Sequence, residues 1–241
     1  MEDDVEPSRY FFVHLQKTAG TALWGLLRRQ FGPDAVYPGP VDEGNRNAVV
    51  DVEHLLRRFA ADRDQLRVLT GHFPLCTCDL LDAPFSTFTV LREPVERTLS
   101  FLRQQQEAPG PFHGRPLEEI YADPLRLLSL IHNHMVKMLS LTTDEMDAGA
   151  MTLVEFDDAR LETAKRNLAE RIDLYGFQEE FDRFCGRLDD RFGWDLGQPW
   201  VTNTTAPVEV SDEFRARVAH DNHLDVELYR WARAQAELAP S

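Results

Sequence analysis

The chain has 241 residues, of which 43% are hydrophobic and 10% aromatic, enough for a substantial core in one α/β domain. It carries 26 basic and 41 acidic residues, a formal net charge of −15, which argues against nucleic-acid binding and against docking of a highly sulfated polymer. An anionic ligand would therefore have to be bound by basic groups at its own site, against the negative charge of the whole chain. The chain has three lysines, Lys17, Lys137 and Lys165. Because lysine is this rare, a lysine in a loop is less readily explained as an ordinary surface residue.

The three cysteines, Cys76, Cys78 and Cys185, are few and odd in number, which predicts free thiols in a reducing compartment. The first ten residues are acidic and lack the basic and apolar regions of a signal peptide, and no apolar run has the length of a membrane span. We therefore expect a cytoplasmic protein without a membrane span. Nothing in the sequence indicates its oligomeric state.

The chain opens with a predicted strand, loop and helix. The apolar run from Arg9 to Leu15 is bounded by QKTAG and predicts a buried strand, and Thr21 to Phe31 has helical spacing until Gly32-Pro33 ends the helix. The next predicted elements are a helix through VVDVEHLLRRFAA, strands at Leu66 to Phe73 and Ser86 to Arg92, and a helix from Pro94 to about Glu107. This alternation predicts a parallel sheet with its ligand site at the carboxyl ends of the strands.

Beyond the turn-rich APGPFHGRP the sequence is mainly helical. Helices are predicted in LRLLSLIHNHMVKMLSL, DDARLETAKRNLAERI and EEFDRFCGRLDDRF, with DLYGF as a candidate strand. In the final stretch, from Ser211 to Leu238, one apolar side is expected to pack on the sheet. No repeat or linker is visible, so we predict one domain over 1–241, with a βαβ core in 1–108 and a mainly helical part in 109–241.

The loop HLQKTAGT after the first strand is a candidate anion site. A strand that leads through a loop into a helix brings free backbone amides and the positive end of the helix dipole to one point. Ala19 and Gly20 let phosphate approach the backbone, Thr18 and Thr21 offer hydroxyl donors, and Lys17 offers a mobile charge. The simpler alternative is a tight turn capped by Thr21. Because Lys17 precedes Gly20, the loop is not a Walker A motif, which counts against an ATPase.

Two segments, FFVHLQKTAGT at 11–21 and FTVLREPVERTLSFL at 88–102, resemble the 5′-phosphosulfate loop and the 3′-phosphate motif of the sulfotransferases that use 3′-phosphoadenosine 5′-phosphosulfate (PAPS). The carbohydrate branch that includes the heparan sulfate 2-O-sulfotransferases is the most similar. Further similar segments follow in the same order: TGHFP, HNHMVKMLS, LYGFQEEFDRF and NHLDVELYRWA. The resemblance implies a P-loop-type three-layer α/β sandwich with a central parallel sheet and a helical C-terminal half.

The resemblance also implies roles for individual residues. Lys17 matches the lysine that contacts the phosphosulfate and stabilises the leaving phosphate, and Arg92 with Ser100 matches the pair that holds the 3′-phosphate. The loop that wraps the 5′-phosphate corresponds to Thr18, Ala19, Gly20, Thr21 and Ala22. An arginine just past a strand and a serine two turns into a helix can also converge on one dianion for purely geometric reasons.

Some of these residues allow other roles, and the sequence departs from the pattern of the resembling family at two places. Arg92 could instead be a surface arginine paired with Glu93 or Glu96, and Arg97 is ambiguous. Gln16 stands where the family usually has proline, which would loosen the loop. The segment 201–207 contains no lysine or arginine, although relatives often supply a basic contact to PAPS there.

His72 is the candidate general base, because it ends a strand beside the loop strand and matches a histidine proposed as base in the 2-O branch. Some relatives have a second histidine where this chain has Thr70. The alternative for His72 is a histidine whose ring simply bonds a backbone carbonyl. His14 is predicted to be buried and hydrogen-bonded. His132 and His134 are expected to form a satisfied surface pair, with a place on a substrate-facing helix as the alternative, and His220 and His223 lie one helical turn apart without a third ligand. A zinc site made by His72, Cys76 and Cys78 has ligand-like spacing but would consume the base.

These observations predict a sulfotransferase that moves the sulfuryl group of PAPS to a hydroxyl of a small-molecule, lipid or carbohydrate acceptor. No metal and no nucleic acid are expected to take part. Two other classes stay open: a small-molecule kinase that uses ATP and magnesium, and a non-catalytic nucleotide-binding module.

Overall fold

The computed structural model describes residues 9–198 and 209–238, and the strands in this part of the chain form one parallel sheet. The strands are β1 Tyr10–Val13, β2 Val36–Tyr37, β3 Val68–Gly71, β4 Ser86–Leu91 and β5 Leu174–Phe177. Their order is β2-β3-β1-β4-β5, so the chain builds one side of β1 and then crosses to the other. This reversal opens a crevice at the carboxyl ends of β1 and β4.

Helices cover most of the remaining described residues. They are α1 Gly20–Phe31, α2 Val52–Ala61, α3 Pro94–Glu107, α4 Leu117–Tyr121, α5 Pro124–Arg126, α6 His134–Ser140, α7 Asp158–Glu170, α8 Phe181–Phe192, α9 Asp212–Asp221 and α10 His223–Leu238. None of the described helices is both long and apolar enough to cross a lipid bilayer.

The sheet separates two apolar layers, because successive side chains of a strand point to opposite faces. Tyr10 and Phe12 of β1 pack in a cluster with α1 and α8, whereas Phe11 and Val13 pack in a cluster with α2, α6, α7 and α10. A third cluster joins α3 to α4 and α9. The predicted three-layer α/β sandwich, with a central parallel sheet and a helical C-terminal half, is confirmed.

The predicted helix 125–141 and the final apolar stretch 211–238 are each broken at an asparagine. The stretch 125–141 breaks at Asn133, which has a positive φ of 44°, and the stretch 211–238 breaks at Asn222. The two breaks bond to each other: the Asn133 amide donates to Asn222 Oδ1 at 2.9 Å, and the Leu224 amide donates to Asn133 Oδ1 at 3.1 Å. These buried bonds between distant segments outweigh local helix propensity. As a result the two helices of the final stretch separate. The first, α9, packs on α3, and the second, α10, packs in the layer beside the sheet.

Local predictions elsewhere agree closely with the structure. DLYGF contains β5, which pairs with β4 in parallel. The edge strand β2 was not predicted, because two residues are too short to show a period. Cys76, Cys78 and Cys185 are free thiols, as predicted.

Candidate functional site

A cavity of about 670 Å³ lies where β1, β3 and β4 end. Among the described residues its lining contains no aspartate or glutamate, although the whole chain has a net charge of −15. It does contain three cationic side chains, Lys17, Arg92 and Arg103. A concave site of this size with cations and no carboxylates suits a small anionic ligand.

The loop after β1 makes a tight turn into this cavity. Lys17 and Ala19 both have positive φ, 68° and 67°, a backbone conformation that costs about 1–3 kcal/mol for a residue other than glycine and that clusters at functional sites. Two bonds hold the turn: Thr18 Oγ1 donates to the Leu15 carbonyl at 2.8 Å, and Arg92 Nη1 donates to the Lys17 carbonyl at 2.9 Å. The turn is therefore maintained by contacts from within the loop and from the end of β4.

The first turn of α1 faces the same cavity. The first intrahelical bond runs from the Leu23 amide to the Ala19 carbonyl, so the amides of Gly20, Thr21 and Ala22 are left for another acceptor. No side chain caps this helix end, and all three residues line the cavity. Capping by Thr21 is thus not observed, and the helix end is arranged as an anion site.

Thr18 differs from its predicted role. Its side chain is completely buried, and its hydroxyl is the donor to the Leu15 carbonyl. Thr18 is also absent from the cavity lining. The hydroxyl therefore shapes the loop and does not donate to a ligand.

Gly20 is required mainly by a neighbouring ring. A Cβ at this position would lie 1.8 Å from Nε2 of His14. The His14 ring is stacked on Phe12, with ring centroids 5.2 Å apart, and it also lines the cavity. Contrary to prediction, the His14 ring makes no hydrogen bond within the described residues. Gly20 thus allows the imidazole to lie against the start of α1.

Lys17 is half-buried at the cavity wall. Its Nζ makes no ion pair or hydrogen bond with any residue in 9–198 or 209–238. Burial, and then the positive charge of Arg92, lowers the pKa of Lys17 below its ordinary value. Glu107 raises this pKa by its negative charge, but among the described residues no carboxylate forms an ion pair with Lys17.

Arg92 and Ser100 both line the cavity, from the end of β4 and from α3. Neither predicted alternative partner forms an ion pair with Arg92 among the described residues: Glu93 accepts the Glu96 amide at 2.8 Å, and Glu96 accepts Arg215 at 2.7 Å. Both carboxylates nevertheless raise the pKa of Arg92 through their charge. Arg92 Nε is buried and has no partner. The structure thus joins the two predicted phosphate motifs, because Arg92 bonds the loop that carries Lys17.

His72 occupies the cavity wall at the end of β3. Its Nδ1 lies 3.1 Å from the His14 carbonyl, and its ring centroid is 4.4 Å from that of His14. Burial, followed by the charge of Lys17, lowers the pKa of His72 although the bond to His14 raises it. A neutral ring that donates from Nδ1 to a carbonyl keeps its lone pair on Nε2, the form that a base requires.

The remaining candidates lie away from the ligand space. Arg97 is fully buried and donates to the Ile131 carbonyl at 2.8 Å, which makes it structural. The prediction of a surface position for His134 is wrong, because its side chain is fully buried and its Nε2 accepts the Gln16 amide at 3.4 Å. In the described part of the chain, no group of three or more His, Cys, Asp or Glu side chains is placed to hold a metal, so the hypothetical zinc set is not assembled. The segment 201–207 lies outside the described residues.

Arg103 also lines the cavity, although it was not among the predicted site residues. It lies on α3 three residues after Ser100, and residues at this spacing share one helix face. The signal was present as the spacing S-F-L-R in the second motif. Gln104, on the same face, also lines the cavity.

No family model matches the chain, and no curated protein matches it. Among solved structures, a sulfotransferase from Alicyclobacillus acidocaldarius has 18% sequence identity and a TM-score of 0.49, over 91% of this chain and 93% of that one. At this level the likeness assigns neither family nor activity. None of these comparisons supports the heparan sulfate 2-O-sulfotransferase branch.

Proposed function

We propose that the chain is a PAPS-dependent sulfotransferase that transfers a sulfuryl group to an acceptor hydroxyl. The observation that carries the proposal is one carboxylate-free cavity with two groups of anion-binding residues. The first comprises Lys17 and the amides at the start of α1, and the second comprises Arg92 and Ser100. A nucleotide with anionic groups on both its 5′ and 3′ sides matches this pair.

PAPS, when bound, would supply the activated sulfuryl group. Lys17 and the α1 amides would bind the 5′-phosphosulfate and stabilise the charge that develops on the phosphate oxygen as its bond to sulfur breaks. His72 Nε2 would take the proton of the acceptor hydroxyl while the new oxygen–sulfur bond forms. The products are the sulfated acceptor and 3′-phosphoadenosine 5′-phosphate (PAP). Positioning and electrostatics would account for most of the catalysis, as in phosphoryl transfer.

The kinase alternative fits the cavity less well. Magnesium at kinase sites takes oxygen ligands that include carboxylates, and none lines this cavity in the described residues. The threonine after the loop lysine, Thr18, uses its hydroxyl on a backbone carbonyl. These two observations favour a sulfotransferase over a P-loop kinase.

A thermal-shift panel tests the proposal. Melting temperatures would be measured with PAP, ADP and ATP, each with and without magnesium. PAP should stabilise the protein without metal, because a ligand that binds only the folded state raises its stability. A response confined to ATP with magnesium would instead indicate a kinase. PAP binding without turnover in a screen of acceptors with labelled PAPS would indicate a non-catalytic module.

The charge of the chain bears on the acceptor. A net charge of −15 repels polyanions, so a small neutral or lipid-like hydroxyl compound is favoured over a sulfated glycan. The same acceptor screen tests this preference directly. Transfer to heparan-type polymers at a higher rate than to neutral compounds would contradict it.

A further inference from the structure

Arg103 is a buried cation for which the described part of the chain supplies no ion pair. Only 5% of its surface is exposed, its Nε has no hydrogen-bond partner, and it makes no ion pair in the part of the chain that the structure describes. Yet it lines the cavity. Burying an unpaired guanidinium is unfavourable, so native proteins pair such groups or place them where a ligand completes the pair.

The neighbours of Arg103 indicate what that ligand group is. Ser100 lies one helical turn earlier on the same face of α3 and lines the same cavity. Arg92 lines the cavity as well; burial lowers its pKa, the carboxylates of Glu96 and Glu179 raise it, and the charge of Arg103 lowers it. Arg92 uses Nη1 on the Lys17 carbonyl, but its buried Nε is unpartnered like that of Arg103. Two guanidinium groups and a hydroxyl therefore line one cavity, and each guanidinium has a buried Nε without a hydrogen-bond partner among the described residues.

We propose that Arg103 binds the 3′-phosphate of the nucleotide together with Arg92 and Ser100, and that it selects nucleotides bearing that group. The inference rests on the proposed function. A phosphate monoester carries close to two negative charges at neutral pH, and two guanidinium groups match it in charge and geometry. An anionic group on the acceptor has the same chemistry, but the shared space with Arg92 and Ser100 favours the nucleotide.

Calorimetric titrations with PAP and with 5′-AMP, which lacks the 3′-phosphate, test the assignment. Arg103→Gln should weaken PAP binding roughly ten- to hundred-fold, the range expected for a hydrogen bond to a charged group, and leave 5′-AMP binding unchanged. Arg103→Lys should give an intermediate loss of PAP affinity, because lysine keeps the positive charge but cannot form the two parallel hydrogen bonds of a guanidinium. Arg57→Gln, at an exposed position on α2 outside the cavity, is the matched control and should change neither titration.

The stability of the free protein provides a second readout. Without ligand, Arg103→Gln should melt at or above the wild-type temperature, because it removes an unpaired buried charge. A lower melting temperature would make Arg103 structural and overturn the inference. Two other results for Arg103→Gln would also overturn the inference. One is an equal loss of affinity for PAP and 5′-AMP, and the other is unchanged PAP binding with a raised KM for the acceptor. Failure of the wild-type protein to bind PAP would instead overturn the proposed function itself.

Discussion

Replacing Lys17 with methionine removes the ammonium and keeps a side chain of similar length. Two unit charges about 4 Å apart interact by roughly 4 kcal/mol at an effective dielectric constant near 20. Deleting one donor from an oxyanion site costs about 2.7–4 kcal/mol in measured cases. Lys17 is only half-buried, so solvent screening places the expected cost of removing its charge at the lower end of this range. We therefore expect kcat to fall by about 10²-fold.

The assay is single-turnover transfer from labelled PAPS to a fixed acceptor, with PAP binding measured in parallel. Lys165→Met is the matched control, because Lys165 pairs with Glu162 and Glu227 outside the cavity and should leave kcat unchanged. The Lys17 ammonium is desolvated beside Arg92, so the free Lys17→Met protein should be no less stable than wild type. A kcat within about threefold of wild type, with PAP still bound, would refute the assigned role of Lys17.

Three further predictions concern the site and its support. In the wild type, kcat/KM should fall only below about pH 6.5, because burial and the nearby lysine lower the pKa of His72; His72→Asn should lose about 10²–10⁴-fold in rate, and an acid limb above pH 7 would contradict the base. Gly20→Ala should lose about 1–3 kcal/mol in denaturant unfolding because its Cβ meets an imidazole, whereas Gly25→Ala, with open space around it, should gain about 0.5–1 kcal/mol. Asp225→Ala should lose about 2–6 kcal/mol in the same measurement, because it leaves the buried amides of Met135 and Val136 without their acceptor, at about 1–3 kcal/mol each; a loss below about 1 kcal/mol would contradict this role.

The sequence alone determined the local features of the fold and the position of the anion loop. Short apolar runs bounded by turn residues specified β1, β3 and β4, and helical spacing specified α1 and α3, because these patterns reflect the period of the backbone itself. The order strand, loop, helix also placed Lys17 at a helix start. These predictions needed only residues that are close to one another in the sequence.

Only the tertiary structure decided which side chains reach the ligand space. Thr18 turns inward to a backbone carbonyl, the His14 ring lines the cavity, and Asn133 and Asn222 bond each other where two helical stretches break. Each outcome depends on contacts between residues far apart in the chain, or on how a buried donor finds an acceptor. Such contacts leave no period in the sequence, because the cost of an unpaired buried polar group is set by what surrounds it after the chain has folded.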